Sequence, residues 1–552
     1  MLVYGDAREE VATAALLAAL KRDERRFLTH DELRSRFIAL AGLAQGVADA
    51  DFAKSGADRE RPAEAALLQA LVTLGAALMR SWDRDCEGSI CPPLPPLLPL
   101  PASVTVKQAE GYAHYALYPE AYALAARKLV LAGEPRIIGL RSIGTGLAAV
   151  AAAALGAKTP VTLRPGGDPF ARSLSIAPEL EQSLLDGDPH FVIVDEGPGL
   201  SGSSFGAVAD WLEARGVPAA RIAFLPGHHG DLGMQASARH RERWRTAQRP
   251  VLRPDRLTRW TAQLLGPIER WTDISAGGWR PLRNASESEW PAVVPGWERM
   301  KFLVRAAGKE WMLRFAGLGP NGHGKLALAR TLHEAGFGPE VAGMTHGWLA
   351  LRWHADARPA RPTLDELTVY LRIRSLLPVE HGAGASLAEL VAMVRRNVPE
   401  LARWSPEVDA LQPLVRRVRT DGRMEAHEWL RLPGGQLLKA DALDHHAGHD
   451  LVGAQDLAWD LAGVMVEFDL PAADVDRLER ALGVDPALTA FYRIAYCAFR
   501  IGRHGLGVEM SPADEAPRHA AATARYRLAL VDAVEQASDV DQSLGIRVDA
   551  FA

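Results

Sequence analysis

The chain has 552 residues, 48% apolar and 24% charged, with a formal net charge of −5. That length exceeds one ordinary hydrophobic core, so two or three domains are expected, with the composition of a folded soluble protein. The slight acidity excludes a global basic field, and with it bulk nucleic-acid binding.

Residues 1 to about 95 read as helical, with apolar residues at three- and four-residue intervals in Ala7 to Leu20 and Ala63 to Met79. The start, MLVYGDAREE, is acidic and does not read as a secretory leader, and no apolar run approaches membrane-spanning length. Cys86, Cys91 and Cys497 are too few for a disulfide framework and suit a reducing cytoplasm. The stretch CPPLPPLLPLP from Cys91 to Pro101 lacks backbone donors and has fixed φ, which makes it a stiff connector or a proline-rich ligand. Tyr112, Tyr115, Tyr118 and Tyr122 follow, as half-buried packing or as the lining of a pocket.

From Val104 to about Pro250 the pattern is α/β. Arg136 to Leu140 forms a short strand, then Arg141, Ser142, Ile143, Gly144 and Thr145 lead into an Ala-rich helix. Arg141 suits bidentate phosphate contact, or a surface ion pair. The strand Val161 to Arg164 ends in a Pro/Gly-rich segment with Arg164 and Arg172, either a cover that closes over an anion or an exposed turn. Phe191 to Val194 runs apolar without alternation, as in a strand buried on both faces. Asp195 and Glu196 follow, then Gly197, Gly199, Leu200, Ser201, Gly202, Ser203 and Ser204, and a helix begins. Glycines let backbone N–H groups wrap a phosphate, hydroxyls add donors, and the helix start favours negative charge. Paired carboxylates beside such a loop can take a sugar diol or a hydrated Mg2+. After the strand Arg221 to Leu225 come His228, His229 and Asp231, where ligands of parallel sheets bind. Residues 236–260 are arginine-rich, a solvated helix and linker or else a surface that steers an anionic substrate or touches RNA.

The stretch FVIVDEGPGLSGSSF, Phe191 to Phe205, resembles the PRPP-binding motif of type I phosphoribosyltransferases, with Glu196 where Asp is commoner and Pro198 inside the loop. The resemblance implies that Asp195 and Glu196 hold the ribose hydroxyls and that Gly197 to Ser204 cradle the 5′-phosphate. By position it gives Arg141 to Thr145 to the pyrophosphate, Arg164 and Arg172 to a mobile cover, and His228 to the acceptor.

From about Trp279 the composition shifts again. Met300 to Val304, Glu310 to Ala316 and Trp348 to Trp353 read as strands and Leu326 to Ala335 as a helix; from Thr363 the chain is mostly helical. This order, with Asp421 to Leu430, Leu438 to Asp444 and Asp456 to Ala462, resembles the aminoglycoside-phosphotransferase branch of the kinase fold. That resemblance gives Asp421 the place of the catalytic acid, Glu428 the place of an absent Asn, and Asp441 or Asp444 the metal. Arg314 takes the place of a strand lysine, with Glu334 as its helix partner. Two further patterns remain. Gly319 to Lys325 fits GxxxxGK without the following Ser or Thr. His445, His446, His449 and Asp450 have metal-ligand chemistry.

The expected fold is an α/β phosphoribosyltransferase-like parallel-sheet domain (101–260) with a helical N-terminal extension and connector (1–100), plus a kinase-like α+β domain (275–545). The expected function is Mg2+-dependent phosphoribosyl transfer from PRPP to a small-molecule acceptor, or its reverse. The alternatives are a PRPP-sensing regulator and a small-molecule kinase using ATP at the C-terminal domain.

Overall fold

The computed structural model describes residues 8–540 except 97–98, 200, 234, 254, 285, 380–383 and 447–450. The described residues fall into two compact units. Arg8–Trp260 with Ala316–His323 form the N-terminal unit; Thr261–Phe315 and the residues from Gly324 onward form the C-terminal unit.

The N-terminal unit is built on a four-stranded parallel sheet of Pro135–Leu140, Val161–Leu163, His190–Val194 and Ile222–Leu225. Numbered along the chain, these lie in the order 4-3-1-2, so the first and third strands are neighbours. All five residues of His190–Val194 are buried, as the unbroken apolar run requires. Phe205, Phe224 and Trp244 pack edge to face and stacked at 5.3–5.6 Å on one side of the sheet. On the other side the helix Gly144–Leu155 packs against Pro62–Asp83.

Two expectations for the first hundred residues are corrected. Arg8–Ala12 is a strand, not the start of a helix, because it pairs antiparallel with Ser103–Lys107; the helix begins at Thr13. The helix Pro62–Asp83 is long and apolar enough to cross a membrane by length and composition, contrary to the sequence reading, and half of that window is buried inside the structure.

The C-terminal unit opens with a five-stranded antiparallel sheet of Ile268–Asp273, Lys301–Ala306, Lys309–Phe315, Val341–Thr345 and Trp348–Arg352, in spatial order 1-2-3-5-4. The rest is mostly helical. Its core centres on Trp459, Tyr492, Tyr496 and Phe499, contributed by the helices Leu457–Phe468 and Pro486–Met510. The GxxxxGK pattern is not a phosphate loop. Residues 320–325 already belong to the helix Pro320–Glu334, so the wrapping backbone such a loop needs is absent there.

Candidate functional site

The third parallel strand delivers Asp195 and Glu196 at its carboxyl end, and the first delivers Arg141 to Thr145 beside them. The two loops lie close because Gly144 has no side chain: a Cβ there would come within 2.7 Å of the Val194 carbonyl. They sit where the strand order reverses direction, the usual crevice of open parallel sheets. Both acids are half-buried. Glu196 Oε2 accepts the Gly111 N–H at 2.8 Å, and the Asp195 carbonyl accepts from the Tyr122 hydroxyl at 2.9 Å. Burial, then the neighbouring Glu196, push the Asp195 carboxyl up to about 8, and Arg164 offsets this only in part. Two acids thus share a strand end where the charge of one penalises the other. A cation or a diol placed there relieves that penalty, so the donor set fits Mg2+ or a sugar's hydroxyls.

Around this pair several side chains are committed elsewhere. Gly202 has φ of 62° and opens the helix Ser203–Glu213. The Ser201 and Ser203 hydroxyls donate to the Pro169 carbonyl at 3.3 and 2.7 Å, and the Ser203 N–H donates to Ser201 Oγ at 3.2 Å. Gly166–Asp168 and Ala171–Ser173 form a hairpin, not an open loop. Its turn is what these serines bind, and Arg172 closes onto the Gly167 carbonyl. Gly197, Gly199 and Ser204 belong to the same turn and helix start; Leu200 lies outside the described residues.

The pyrophosphate role expected for Arg141 and the mobile-cover role expected for Arg164 are corrected by their partners. Arg141 is buried, with Nε on Asp49 at 2.8 Å, NH2 on Asp58 and NH1 on Thr162. Arg164 binds Asp49 through Nε at 2.9 Å and the Arg141 carbonyl through NH1 at 2.8 Å. Acids from the helical extension therefore neutralise both guanidiniums. Of the rest of this loop, Ile143, Gly144 and Thr145 are buried and Ser142 is partly exposed. His228 accepts the Gly230 N–H through Nδ1 at 3.1 Å, and burial lowers its pKa.

In the C-terminal unit Asp456 caps the helix Leu457–Phe468. One turn on, Asp460 accepts the backbone N–H groups of Asp421 and Gly422 at 2.7 and 2.8 Å, while the Trp459 indole N–H reaches the Gly422 carbonyl at 3.1 Å. This clamp fixes the 421–422 turn. The Asp421 carboxylate is sealed: Tyr370, Arg374 (3.2 Å), Lys439 (3.3 Å) and His445 (3.2 Å) surround it. Burial opposes its charge, but Lys439 and Arg374 hold it below the usual carboxylate range. The place expected of a catalytic acid is therefore a structural one here, since no substrate hydroxyl can reach a fully covered carboxylate.

A cavity of about 190 Å³ lies in the same unit, lined by Arg314, Arg423, Glu425, Glu428, Asp441, Asp444 and others. Its acids are matched internally. Arg314 binds Asp441 at 2.9 Å and Asp444 at 2.6 Å, and Lys325 and Arg299 stand 3.7 Å from Asp444. Glu428 takes Lys439 at 2.6 Å and Arg423 at 3.1 Å. Glu425 takes Arg423 and Arg500. Desolvation opposes charge on Asp444, but Arg314 and Lys325 keep it ionised. Cationic side chains thus occupy the positions a metal would take, and the donor set at Asp441 and Asp444 does not fit Mg2+. Glu334 is exposed and is not the partner of Arg314. His445 turns to Asp421 and Asp441; His449 and Asp450 lie outside the described residues. Sequence reasoning missed Lys439, Arg374, Arg423 and Arg500. The Lys439 signal was a lysine ending an apolar strand two residues before Asp441.

No family model and no curated protein matches the chain. Among solved structures, the choline kinase LicA from Streptococcus pneumoniae matches at 15% identity and a TM-score of 0.30, over 42% of this chain and 89% of its own. A choline/ethanolamine kinase family protein from Mesorhizobium loti matches at 17% identity and 0.28, over 42% and 89%. Spectinomycin phosphotransferase APH(9)-Ia matches at 12% identity and 0.29, over 51% and 94%.

Proposed function

We propose that the N-terminal unit binds a phosphoribosyl donor such as PRPP with Mg2+ and transfers its sugar to, or takes it from, a small-molecule acceptor. The observation that carries this reading is the Asp195–Glu196 pair at the strand-order reversal, with Asp195 pushed up to about 8. Mg2+ supplies charge neutralisation of the leaving pyrophosphate when bound. Asp195 and Glu196 orient the ribose diol, and the start of the helix Ser203–Glu213 receives the 5′-phosphate. For Ser201 and Ser203 to join it, they exchange the Pro169 carbonyl for phosphate oxygens, which releases the Gly166–Ser173 hairpin. Calorimetric titration of the full chain with PRPP tests this. Mg2+-dependent binding that weakens at least about tenfold in Asp195→Asn is expected; binding equal in wild type and variant contradicts it. Pyrophosphate release across a panel of nucleobases then separates an enzyme from a PRPP-responsive regulator.

A second reading concerns the C-terminal unit: a phosphotransferase-shaped module that takes a small molecule. The Asp460 clamp on the 421–422 turn favours it, together with a five-stranded sheet whose Arg314 pairs with Asp441 and Asp444. Because those acids are already matched by cations, the reading is of small-molecule binding in a kinase-like unit, with metal-dependent phosphoryl transfer weak or lost. ATP consumption that depends on Asp441 would restore the small-molecule kinase in full.

A further inference from the structure

The C-terminal cavity carries an excess of positive charge. Among the described residues, eight arginine or lysine side chains line it against five carboxylates. Of the arginines that line it, Arg500 holds two buried donors, and Arg314 one, that meet no hydrogen-bond partner among the described residues.

Arg500 lies on the helix Pro486–Met510 and is 1% exposed. Its NH2 binds Glu425 and, at 3.1 Å, His504 Nε2, and its plane lies over the Tyr526 ring at 5.0 Å. Among the described residues, Nε and NH1 have no hydrogen-bond partner. An arginine always donates, so His504 Nε2 must accept. Its Nδ1–H then faces His519 Nδ1 at 3.1 Å, which leaves His519 Nε2–H for the Val293 carbonyl at 3.3 Å or Ser511 at 3.1 Å. The chain of neutral imidazoles fixes the guanidinium without cancelling its charge. Buried cationic donors left unpaired are rare and costly, and they mark where a complementary acceptor belongs. Arg283, which also lines the cavity, gives NH1 to the His354 carbonyl at 2.6 Å and stacks on Trp353 at 3.6 Å. Neither of these partners is a carboxylate.

We infer that this cavity is a site for a small anion bearing a carboxylate or phosphate group, received by the unused donors of Arg500, and that it rejects ammonium ligands. The inference stands on the charges of the cavity and on neither functional reading above.

The test is calorimetric titration of the full chain, at fixed ionic strength, with 3-phosphoglycerate, succinate, choline and spermidine. At least one anion is expected to bind, the two cations are not, and Arg500→Lys is expected to weaken the anion at least about tenfold, the worth of one charged hydrogen bond. The two anions distinguish a phosphate from a carboxylate site. Tighter binding of choline or spermidine overturns the inference, and so does anion binding unchanged in Arg500→Lys. Where circular dichroism shows that variant unfolded, Arg503→Gln on the same helix decides by the same criterion. Repeating the titration with ADP present separates this site from a nucleotide's phosphates: undisturbed anion binding supports the inference, and displacement overturns it.

Discussion

Asp460 holds the backbone of Asp421: its Oδ2 accepts the Asp421 N–H at 2.7 Å while Oδ1 takes the next N–H, of Gly422, at 2.8 Å. Burial, then the adjacent Asp421, push the Asp460 carboxyl up to about 6, while the two backbone N–H bonds it accepts favour the carboxylate and oppose that rise. Asp460→Ala leaves two buried donors unmatched and is expected to cost about 2–4 kcal/mol. Denaturant unfolding followed by tryptophan fluorescence measures it. A loss below about 1 kcal/mol would mean that the turn is held by other contacts.

Asp421 is surrounded by Lys439, Arg374 and His445 and has no route to a substrate. Asp421→Asn is therefore expected to behave as the breaking of a buried ion network, lowering stability by about 3–5 kcal/mol. A variant of unchanged melting temperature that loses only an ATP-dependent activity would return Asp421 to a catalytic role.

Arg141 makes the same point in the N-terminal unit. Arg141→Met strands Asp49 and Asp58, both partly or fully buried, and should destabilise by about 3–5 kcal/mol. A direct pyrophosphate ligand would instead weaken PRPP binding with folding intact. Comparing thermal unfolding with titration of the same variant separates the two.

Much of the fold was legible in the sequence because its signals are local. Short, mostly apolar runs ending in Gly-containing turns located all four parallel strands to within a residue or two, and Asp456 to Ala462 stood out by its resemblance to the kinase-fold pattern. Partners distant along the chain were not legible. Nothing near Arg141 says that Asp49 and Asp58, 92 and 83 residues earlier, will neutralise it. Nothing near Asp444 says that Arg314 and Lys325 will surround it. An arginine in a phosphate-like context and an arginine in an ion cluster look alike until the topology brings the acids in. The strand at Arg8–Ala12 was missed for the same reason: its pairing with Ser103–Lys107 overrides a helical local pattern.

The raised Asp195 carboxyl gives a pH signature. Its ordinary value is 3.8 and its folded value about 8. The folded state binds that proton more tightly, so the contribution to stability is full below the ordinary value and is lost as pH rises through the folded one. The stability difference between wild type and Asp195→Asn should therefore fall between those pH values and level off above them. Affinity for Mg2+ with PRPP should rise over the same interval, because the carboxylate must lose its proton to bind the metal. A flat profile in both measurements would place the carboxyl in an ordinary environment.

Release of the hairpin is also measurable. With PRPP and Mg2+ bound, amide exchange in 166–173 should change as Ser201 and Ser203 leave the Pro169 carbonyl. Exchange in this segment that is identical with and without ligand would show that the serines keep their partner and take no part in phosphate binding.

The contrast between the two acidic sites is tested most directly by electron paramagnetic resonance of Mn2+, standing in for Mg2+, titrated into the full chain with PRPP. Bound Mn2+ is expected in wild type, lost in Asp195→Asn and retained in Asp441→Asn. Bound metal that survives Asp195→Asn and disappears in Asp441→Asn would contradict the account.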